Sequence, residues 1–420
     1  MIIKKRVKDF EKLGFGMFVH FGLYSVLGKG EWALRCLEIE PKEYESMAKV
    51  FCPKEDWATE LVAAAKNAGC KYITLTTRHH DGYSLYDTCG LNDYDAPHSC
   101  GRDLVREFVD ACNAQGIIPF FYHTLIDWHE KRCPFTAYTR HDLDRTGDWE
   151  AYMEYLQKSV ELLCRNYGKI GGIWFDGMWA HWDNDWQEDK LYGMIRSYQP
   201  DAMIINNTGL SKLGELGHIE LDSVTFERGN PKPLNMEGAP KYVASEMCEV
   251  FGAHWGYAAE DLFYKSPAKL IETLAICRKC GSNMLMNVGP MGDGSLRPLD
   301  AACLALMGQW VGKHAEAIRL PRPTGIAVAD RPDDFILQNG STYYLFCLGL
   351  YMSGDPNVQR GDNPHLHRVF ELDKTIRSIT WMDNGEDVSF STDGSKVTVN
   401  AVPFRYGSNW VVRVAKIECE

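Results

Sequence analysis

The sequence predicts a (β/α)8 TIM-like barrel followed by a C-terminal antiparallel β-sandwich. Before about residue 320, eight short apolar segments alternate with longer amphipathic ones, a pattern typical of parallel strands joined by helices. After about residue 322 the segments become short, β-branched or aromatic, and Asn-Gly, Asp-Gly and Gly-Ser turns separate them. We therefore expect a barrel over residues 1–320 and a sandwich over residues 325–420, with the Pro-rich LPRPTG (320–325) between them.

The barrel strands are predicted where apolar residues run together and a turn residue follows. They cover residues 15–21, 71–77, 117–122, 173–175, 202–206, 223–226, 243–250 and 283–288. Helices are predicted at residues 57–68, 104–115, 149–167, 185–198, 267–280 and 299–317. Gly116, Gly168 and Pro200 follow three of these helices, as residues that end helices do. In the C-terminal part, strands are predicted at residues 343–347, 379–381, 396–399 and 410–414.

Polar side chains stand at or near the end of every predicted barrel strand. They are His20, His79, His80, Tyr122, His123, Asp176, Asn206, Asn207, Glu227, Glu246 and Asn287. The C-terminal ends of barrel strands meet at one face of the fold, and barrel enzymes keep their active sites there. Any one of these residues could be a helix cap or a satisfied core group, but a complete ring of them predicts an active site.

Asp176 is the strongest candidate in this ring. Three apolar residues (173–175) lead straight into it, and Gly177 lets the backbone turn sharply where the strand ends. Taken alone, an acid at such a junction could equally cap the following helix. The choice between these two readings depends on the rest of the chain.

Composition and charge exclude several classes of function. The net charge is −12 and no basic run is present, which argues against a nucleic-acid partner. The first ten residues lack the apolar core of a signal peptide, and no stretch of 18 apolar residues occurs, so no membrane partner is expected. The 14 cysteines are scattered over predicted helices and strands, which favours reduced thiols and a cytoplasmic location. No pattern indicates an oligomeric state.

No cofactor or metal ion is expected. His79 and His80 are adjacent, so on a strand they would point to opposite faces and could not share an ion. Cys277 and Cys280 form a single CxxC without a matching pair, which is more typical of structural cysteines. The segment GPMGDG (289–294) lacks the Lys-Ser/Thr of a phosphate-binding loop, and no GxSxG nucleophile elbow occurs.

Carboxylates, imidazoles and aromatic rings remain at the strand ends. Glycosidic bond cleavage needs two carboxyl groups, one as nucleophile or base and one as general acid. Aromatic rings pack against the C–H face of a sugar, while His, Glu and Tyr side chains bind its hydroxyl groups. This set of residues favours a glycosidase, and another barrel hydrolase or an isomerase is the alternative.

Seven motifs, in this order, make the chain similar to a known family. They are GFGMFVHFG (14–22), GEWA (30–33), TRHHDG (77–82), GRDLV (101–105), IWFDG (173–177), WGY (255–257) and LMNVGPMGDG (285–294). Together they resemble the α-L-fucosidases of glycoside hydrolase family 29 over most of residues 10–320, and a β-sandwich tail fits that family too. The resemblance implies a retaining exo-α-L-fucosidase that acts on fucosylated oligosaccharides or glycoconjugates, with Asp176 as the nucleophile.

The resemblance also implies the other site residues. By motif, the sugar-binding positions are His20, Glu31, Trp32, His79, His80, Tyr122 and Trp255. The acid/base is implied at Glu227, because TFE (225–227) resembles the family's Thr-Pro-Glu with phenylalanine in place of proline. Glu246 and Glu249 are the alternatives, since Ser245-Glu246 stands where many members have Trp-Glu.

One departure from the family pattern bears on the substrate. Many relatives place an arginine after the fifth strand to contact the sugar, whereas this chain has INNTG (205–209), and Arg228 is the candidate substitute. An α-L-galactosidase is therefore an alternative, because the C6 hydroxyl of L-galactose would need a polar partner. A non-catalytic fucose-binding protein is a further alternative, which the presence of both carboxylates disfavours.

Overall fold

Eight parallel strands form a closed barrel in chain order in the computed structural model, which describes residues 1–134, 146–208, 217–229, 231–350 and 363–420. The strands are β1 Phe15–Val19, β2 Tyr72–Arg78, β3 Ile118–Thr124, β4 Gly172–Asp176, β5 Met203–Asn206, β6 Ser223–Glu227, β7 Ala244–Val250 and β8 Asn283–Val288. β8 closes the barrel on β1, where Phe18 pairs with Asn287. Each strand is almost entirely buried, which explains the continuous apolar runs in the sequence. The predicted barrel is confirmed.

Helices surround the barrel. Those described are α1 Lys5–Glu11, α2 Tyr24–Leu27, α3 Ala33–Cys36, α4 Pro41–Ser46, α5 Trp57–Asn67, α6 Ala96–Cys100, α7 Leu104–Gln115, α8 Trp149–Asn166, α9 Glu188–Tyr198, α10 Pro267–Lys279 and α11 Pro298–Arg319. The longer ones begin and end within three residues of the predicted bounds, and α7 matches them: Asp103 caps its first turn, and Gly116 ends it with a left-handed backbone. Among the described helices, none is both long and apolar enough to cross a membrane.

Helix α1, which was not predicted from the sequence, closes the N-terminal end of the barrel. Val7 and Phe10 of α1 are buried in the barrel interior, and the Phe10 ring lies 5.4 Å from Tyr72 and 5.8 Å from Phe120. The Val7 and Phe10 side chains therefore fill the barrel interior at this end, and the polar strand ends lie at the other.

Two antiparallel sheets follow the barrel. Their strands are β9 Arg322–Pro323, β10 Phe335–Asn339, β11 Thr342–Cys347, β12 His367–Glu371, β13 Ile376–Trp381, β14 Phe390–Asp393, β15 Lys396–Asn400 and β16 Arg413–Cys419. The order is β13-β16-β11-β10-β9 in the five-stranded sheet and β12-β15-β14 in the other. Leu345 from the first sheet and Phe370 and Val397 from the second share one core, so the predicted β-sandwich is confirmed.

The five-stranded sheet is buried on both faces. Its outer face packs on α11, where the Trp310 indole nitrogen donates to the Val412 carbonyl at 2.9 Å and the Tyr344 hydroxyl donates to Glu316 at 2.5 Å. The edge strand β9 lies within residues 320–325, the segment expected to join the two parts, and Pro323 sits where an edge strand tolerates proline. The division into residues 1–320 and 325–420 stays a prediction.

Candidate active site

A cavity of about 100 Å³ opens at the C-terminal end of the barrel. Its described lining consists of Phe18, His20, Trp32, His79, His80, Tyr122, Trp174, Asp176, Trp179, Asn207, Glu227, Cys248 and Trp255. All of the site residues predicted from the sequence belong to this lining except Glu31. We call this space the active-site cavity.

A larger cavity, of about 640 Å³, lies at the opposite end of the barrel beside α1. Its charged side chains are already paired with carboxylates: Lys5 with Asp9, Lys169 with Asp201 at 3.8 Å, and Arg6 with Asp222 at 2.9 Å. Volume alone therefore does not identify the reactive site, and the polar groups converge at the smaller cavity.

Asp176 ends β4 and accepts hydrogen bonds on both carboxylate oxygens. The Tyr122 hydroxyl donates to Oδ2 at 3.0 Å, His80 Nε2 lies 3.4 Å from the same oxygen, and the Asn207 amide donates to Oδ1 at 3.3 Å. Burial alone would raise the pKa of Asp176, but His80, Tyr122 and the Gly177 backbone N–H together bring that pKa below its ordinary value. Asp176 is thus held ionised at neutral pH.

Gly177 is required directly after this carboxylate. Its φ of +101° lies where residues with a side chain are strained, and a Cβ there would come within 3.0 Å of Ile126. The turn starts a short 3-10 helix, Met178–Ala180, which brings Trp179 over the cavity.

His79 and His80 both face the active-site cavity, so the expectation that they point to opposite faces is wrong. β2 ends at Arg78, with an irregular register just before it, and the two imidazoles follow the strand rather than belong to it. Their ring centroids lie 4.2 Å apart. Within the described ranges, no group of three or more metal-ligating side chains comes together.

His20 presents a fixed nitrogen to the cavity. Its Nδ1 lies 2.6 Å from the Asn287 side-chain oxygen, and the Asn287 amide nitrogen donates to the Trp255 carbonyl at 2.7 Å. Because that oxygen can only accept, the proton of His20 sits on Nδ1 and Nε2 is left as an acceptor. Burial lowers the pKa of His20 to about 3, so the ring is neutral. Burial likewise lowers the pKa of His79 well below its ordinary range.

Aromatic rings form the walls of the cavity. The Tyr122 ring is stacked between His79, at 5.6 Å, and Trp174, at 5.7 Å. Trp32 is stacked against Trp179 at 5.8 Å on one side, and Trp255 lies 5.3 Å from His20 on the other. Among these rings, Trp174 and Trp179 were not predicted as site residues, whereas the others were and lie together at the cavity.

Glu31 is buried beside the cavity but does not line it. Its Oε2 accepts from the backbone N–H groups of Trp255, at 3.1 Å, and Gly256, at 2.8 Å. In this structure Glu31 therefore fixes the loop that carries Trp255, and its contact with a sugar stays a prediction.

Glu227 ends β6 and faces Asp176 across the cavity. The Asn207 amide nitrogen donates to Glu227 Oε2 at 2.9 Å. Burial, and next the nearby charge of Asp176, raise the pKa of Glu227 above its ordinary value, although Asn207 opposes the shift. Two carboxyl groups with opposite pKa shifts therefore share this cavity, which is the arrangement that acid and nucleophile need.

The separation of these two carboxylates is bounded by Asn207. Asp176 Oδ1 and Glu227 Oε2 lie 3.3 and 2.9 Å from the same nitrogen, so they are no more than about 6.2 Å apart. Retaining glycosidases place their carboxyl groups roughly 5–5.5 Å apart and inverting ones roughly 6.5–9.5 Å. The geometry favours the retaining range.

Neither alternative acid lines the cavity. Both oxygens of Glu246 accept hydrogen bonds inside the barrel, from the Tyr72 hydroxyl and from the Trp174 indole nitrogen at 3.0 Å. Glu249 lies on the same strand and pairs with Lys265 at 3.1 Å. Arg228 is not among the described lining residues either: its guanidinium lies 4.9 Å over the Trp255 ring and donates to the Ala253 carbonyl at 2.7 Å.

Several lining residues were missed by sequence reasoning. Phe18, Trp174 and Cys248 sit inside apolar strand segments, where nothing separates a cavity wall from an ordinary core residue. From the sequence, Asn207 was recognised only as one of the polar residues at the strand ends, with no role assigned to it. Its position directly after β5, in a ring of candidate catalytic groups, is the signal that could have identified it.

The family model described as α-L-fucosidase matches residues 3–316. The tissue α-L-fucosidase of Bos taurus is 28% identical over 348 residues, which cover 75% of this chain and 69% of that protein. The tissue α-L-fucosidase of Homo sapiens is 24% identical over 457 residues, covering 97% of this chain and 89% of that protein.

A solved structure shares the architecture along the whole chain. α-L-Fucosidase isoenzyme 1 from Paenibacillus thiaminolyticus superposes with a TM-score of 0.82 at 28% identity, and 99% of each chain is covered. The match therefore spans both the barrel and the C-terminal sheets. This chain belongs to the α-L-fucosidase family, glycoside hydrolase family 29.

Proposed function

We propose that this α-L-fucosidase removes terminal α-L-fucosyl groups with retention of configuration, using Asp176 as nucleophile and Glu227 as acid/base. One observation carries the assignment of the two roles. Asp176, with a lowered pKa, and Glu227, with a raised one, bind the same amide nitrogen and face one cavity. Asp176 Oδ1 and Glu227 Oε2 are no more than about 6.2 Å apart, which is shorter than the separation of about 6.5–9.5 Å in inverting enzymes.

In the first step, Asp176 attacks C1 of the sugar while the C1–O bond to the leaving group breaks. Glu227 gives its proton to the departing oxygen, so the leaving group departs as a neutral alcohol and Glu227 becomes a carboxylate. In the second step, Glu227 takes a proton from water, the hydroxide oxygen bonds to C1, and the Asp176–C1 bond breaks. At the end of the cycle Asp176 is again ionised and Glu227 is again protonated, as at the start.

The remaining lining groups would bind the sugar itself. Neutral imidazoles of His20 and His79 can accept or donate to sugar hydroxyls without charge repulsion of the developing oxocarbenium ion. Phe18, Trp174 and Trp255 offer apolar surface for the C–H groups of the ring. A cavity of about 100 Å³ fits one terminal residue, which supports exo action.

The natural substrate would be a fucosylated oligosaccharide or glycoconjugate, since the family acts on α-L-fucosides. The cytoplasmic location expected from the sequence stays a prediction. Cell fractionation with an antibody against the protein would test it.

The assignment is tested with aryl glycosides and variants of the nucleophile. We expect release of the aryl group from the α-L-fucoside, much slower release from the α-L-galactoside and none from the β-D-galactoside. Asp176→Ala and the isosteric Asp176→Asn should each lose at least about three orders of magnitude in kcat. Near-normal activity of either variant, or fucose binding without turnover by the unmodified protein, would overturn the proposal.

A further inference from the structure

The side-chain nitrogen of Asn207 donates hydrogen bonds to both candidate catalytic carboxylates. Asn207 follows β5 directly and is 4% exposed. Its backbone N–H donates to the Phe175 carbonyl at 2.8 Å, which ties its position to the residue before the nucleophile. The contact to Glu227 is the shorter of the two, at 2.9 Å against 3.3 Å for Asp176.

The orientation of the Asn207 amide is fixed by Thr225. The Thr225 hydroxyl donates to the Asn207 side-chain oxygen at 3.0 Å, so the oxygen is occupied and the nitrogen must face the carboxylates. An amide nitrogen has two N–H bonds and no lone pair to accept with, so it can serve one oxygen with each hydrogen. Thr225, two residues before Glu227, is itself buried and held in β6.

We propose that Asn207 is a positioning residue that holds both carboxylates on one nitrogen and turns the acidic proton of Glu227 toward the leaving group. Its N–H occupies Oε2 of Glu227, and the carbonyl oxygen of a carboxylic acid is the better acceptor. The proton therefore sits on Oε1, the oxygen that Asn207 leaves free. This inference rests on the proposed roles of Asp176 and Glu227.

The same contact suits the movement of charge during the reaction. When the glycosyl-enzyme forms, Asp176 loses its negative charge to the new ester bond and Glu227 gains one. The Asn207 amide donates to both groups. A hydrogen-bond donor therefore already faces the negative charge when it is on Asp176 and when it is on Glu227, and no side chain has to move during the step. A neutral donor does this without becoming a third charge between the carboxylates.

The charged and titratable groups that face Glu227 come from several elements. They are Asp176 of β4, Glu31 of the segment after β1, Cys248 of β7 and the neighbouring Arg228. Burial and the two acids raise the pKa of Glu227, whereas Asn207 and Arg228 lower it. Removing the Asn207 donor should therefore raise that pKa further. Asp176 depends mainly on His80, Tyr122 and Gly177, so its pKa should change less.

The test is the pH profile of kcat/KM for an aryl α-L-fucoside with Asn207→Ala. We expect kcat to fall about 10- to 100-fold, the loss of a hydrogen bond to a charged group, with KM changed by less than about threefold. The alkaline limb, which reports the acid, should move to higher pH, while the acidic limb moves little. A profile that superimposes on that of the unmodified enzyme would overturn the inference.

Two further variants distinguish the loss of the Asn207 donor from a folding defect. Asn207→Asp keeps the shape but aims an oxygen at the two carboxylates, so its loss of kcat should be larger than that of the alanine variant. Thr225→Val is also near-isosteric and should lower kcat by about 2- to 10-fold, because the amide is no longer held in one orientation. Full activity of Asn207→Asp would contradict the role of the donor.

Asn206→Ser is the matched control. Asn206 is also buried, but its amide donates to the Tyr192 hydroxyl at 3.1 Å, away from the active-site cavity. The Asn206→Ser substitution should lower the melting temperature and leave both limbs of the pH profile of kcat/KM unchanged. If Asp176→Ala loses activity while the Asn207→Ala profile is unmoved, only the role of Asn207 fails. Retained activity of Asp176→Ala would overturn both proposals.

Discussion

Two glutamates on neighbouring strands, Glu227 half-buried and Glu246 buried, show what separates the active-site cavity from the barrel layer directly below it. Thr225 pairs with Glu246 in the β6–β7 register, and Glu227 pairs with Cys248, so Glu246 lies one inward-facing position deeper than Glu227. Burial raises the pKa of both, that of Glu246 to about 7. A raised pKa therefore does not by itself identify the acid.

The difference lies in what surrounds their oxygens. Both oxygens of Glu246 accept hydrogen bonds from Tyr72 and Trp174, and Glu246 is not among the described residues that line the active-site cavity. Only Oε2 of Glu227 accepts a hydrogen bond from Asn207, which follows the adjacent strand β5, and Glu227 faces Asp176 across the active-site cavity. A group with all of its hydrogen bonds satisfied stabilises a fold, whereas a group with one oxygen free beside a cavity can exchange a proton.

The largest expected contrast is in activity. Glu227→Ala should lose about two to four orders of magnitude in rate with a poor leaving group, because the general acid is removed. Added azide should restore turnover with an activated aryl fucoside by attacking the glycosyl-enzyme without base assistance. Glu246→Ala should show no azide rescue. Rescue of Glu246→Ala alone would reverse the assignment.

The second contrast is in stability, where Glu246→Ala should cause the larger loss and Glu227→Ala the smaller one. Glu246→Ala leaves the Tyr72 hydroxyl and the Trp174 N–H without an acceptor, which should lower the free energy of unfolding by about 2–5 kcal/mol. Glu227→Ala should change it by less than about 1 kcal/mol, since a partly exposed active-site group contributes little. Urea denaturation of both variants measures the difference, and equal losses would contradict this distinction.

The third contrast concerns the dependence of stability on pH. The pKa of Glu246 rises from its ordinary 4.5 to about 7 in the folded protein, so between these values the folded state holds a proton that the unfolded state has lost. Stability should therefore fall as pH rises through this window, by about 3 kcal/mol in all, and level off above it. Glu246→Gln, which cannot ionise, should lack this contribution. Identical pH dependence in the two proteins would show that Glu246 is not perturbed.

The smallest effect is expected at Glu31, a third buried carboxylate whose described contacts are to backbone N–H groups of the Trp255 loop. Glu31→Gln keeps an acceptor for these groups and loses only the charge. We expect KM for an aryl fucoside to rise about two- to fivefold with kcat unchanged. A loss of several orders of magnitude in kcat would instead place Glu31 in direct contact with the reacting sugar.

The sequence allowed the barrel, the strand ends and most of the lining to be predicted, because buried parallel strands are continuous apolar runs and their polar ends must converge. It favoured Glu227 over Glu246 only through the family resemblance of residues 225–227, since both follow β-type patterns and only the three-dimensional contacts show which oxygens are satisfied. The geometry of His79 and His80 was mispredicted because the alternation of a strand was applied to both imidazoles, although they follow the end of β2 at Arg78. Asn207 was overlooked as a contact, because its two partners come from strands on either side of its own.

The position of β16 has a consequence for how the chain acquires its structure during synthesis. β16 lies between β13 and β11 in the five-stranded sheet, although its residues, Arg413–Cys419, are translated after all the other strands of that sheet. Because β16 is an interior strand, β13 cannot join the rest of the sheet until those residues have left the ribosome. Until then the face of α11 that holds Trp310 stays uncovered, so nascent chains that stall before β16 should be prone to aggregate or to recruit chaperones.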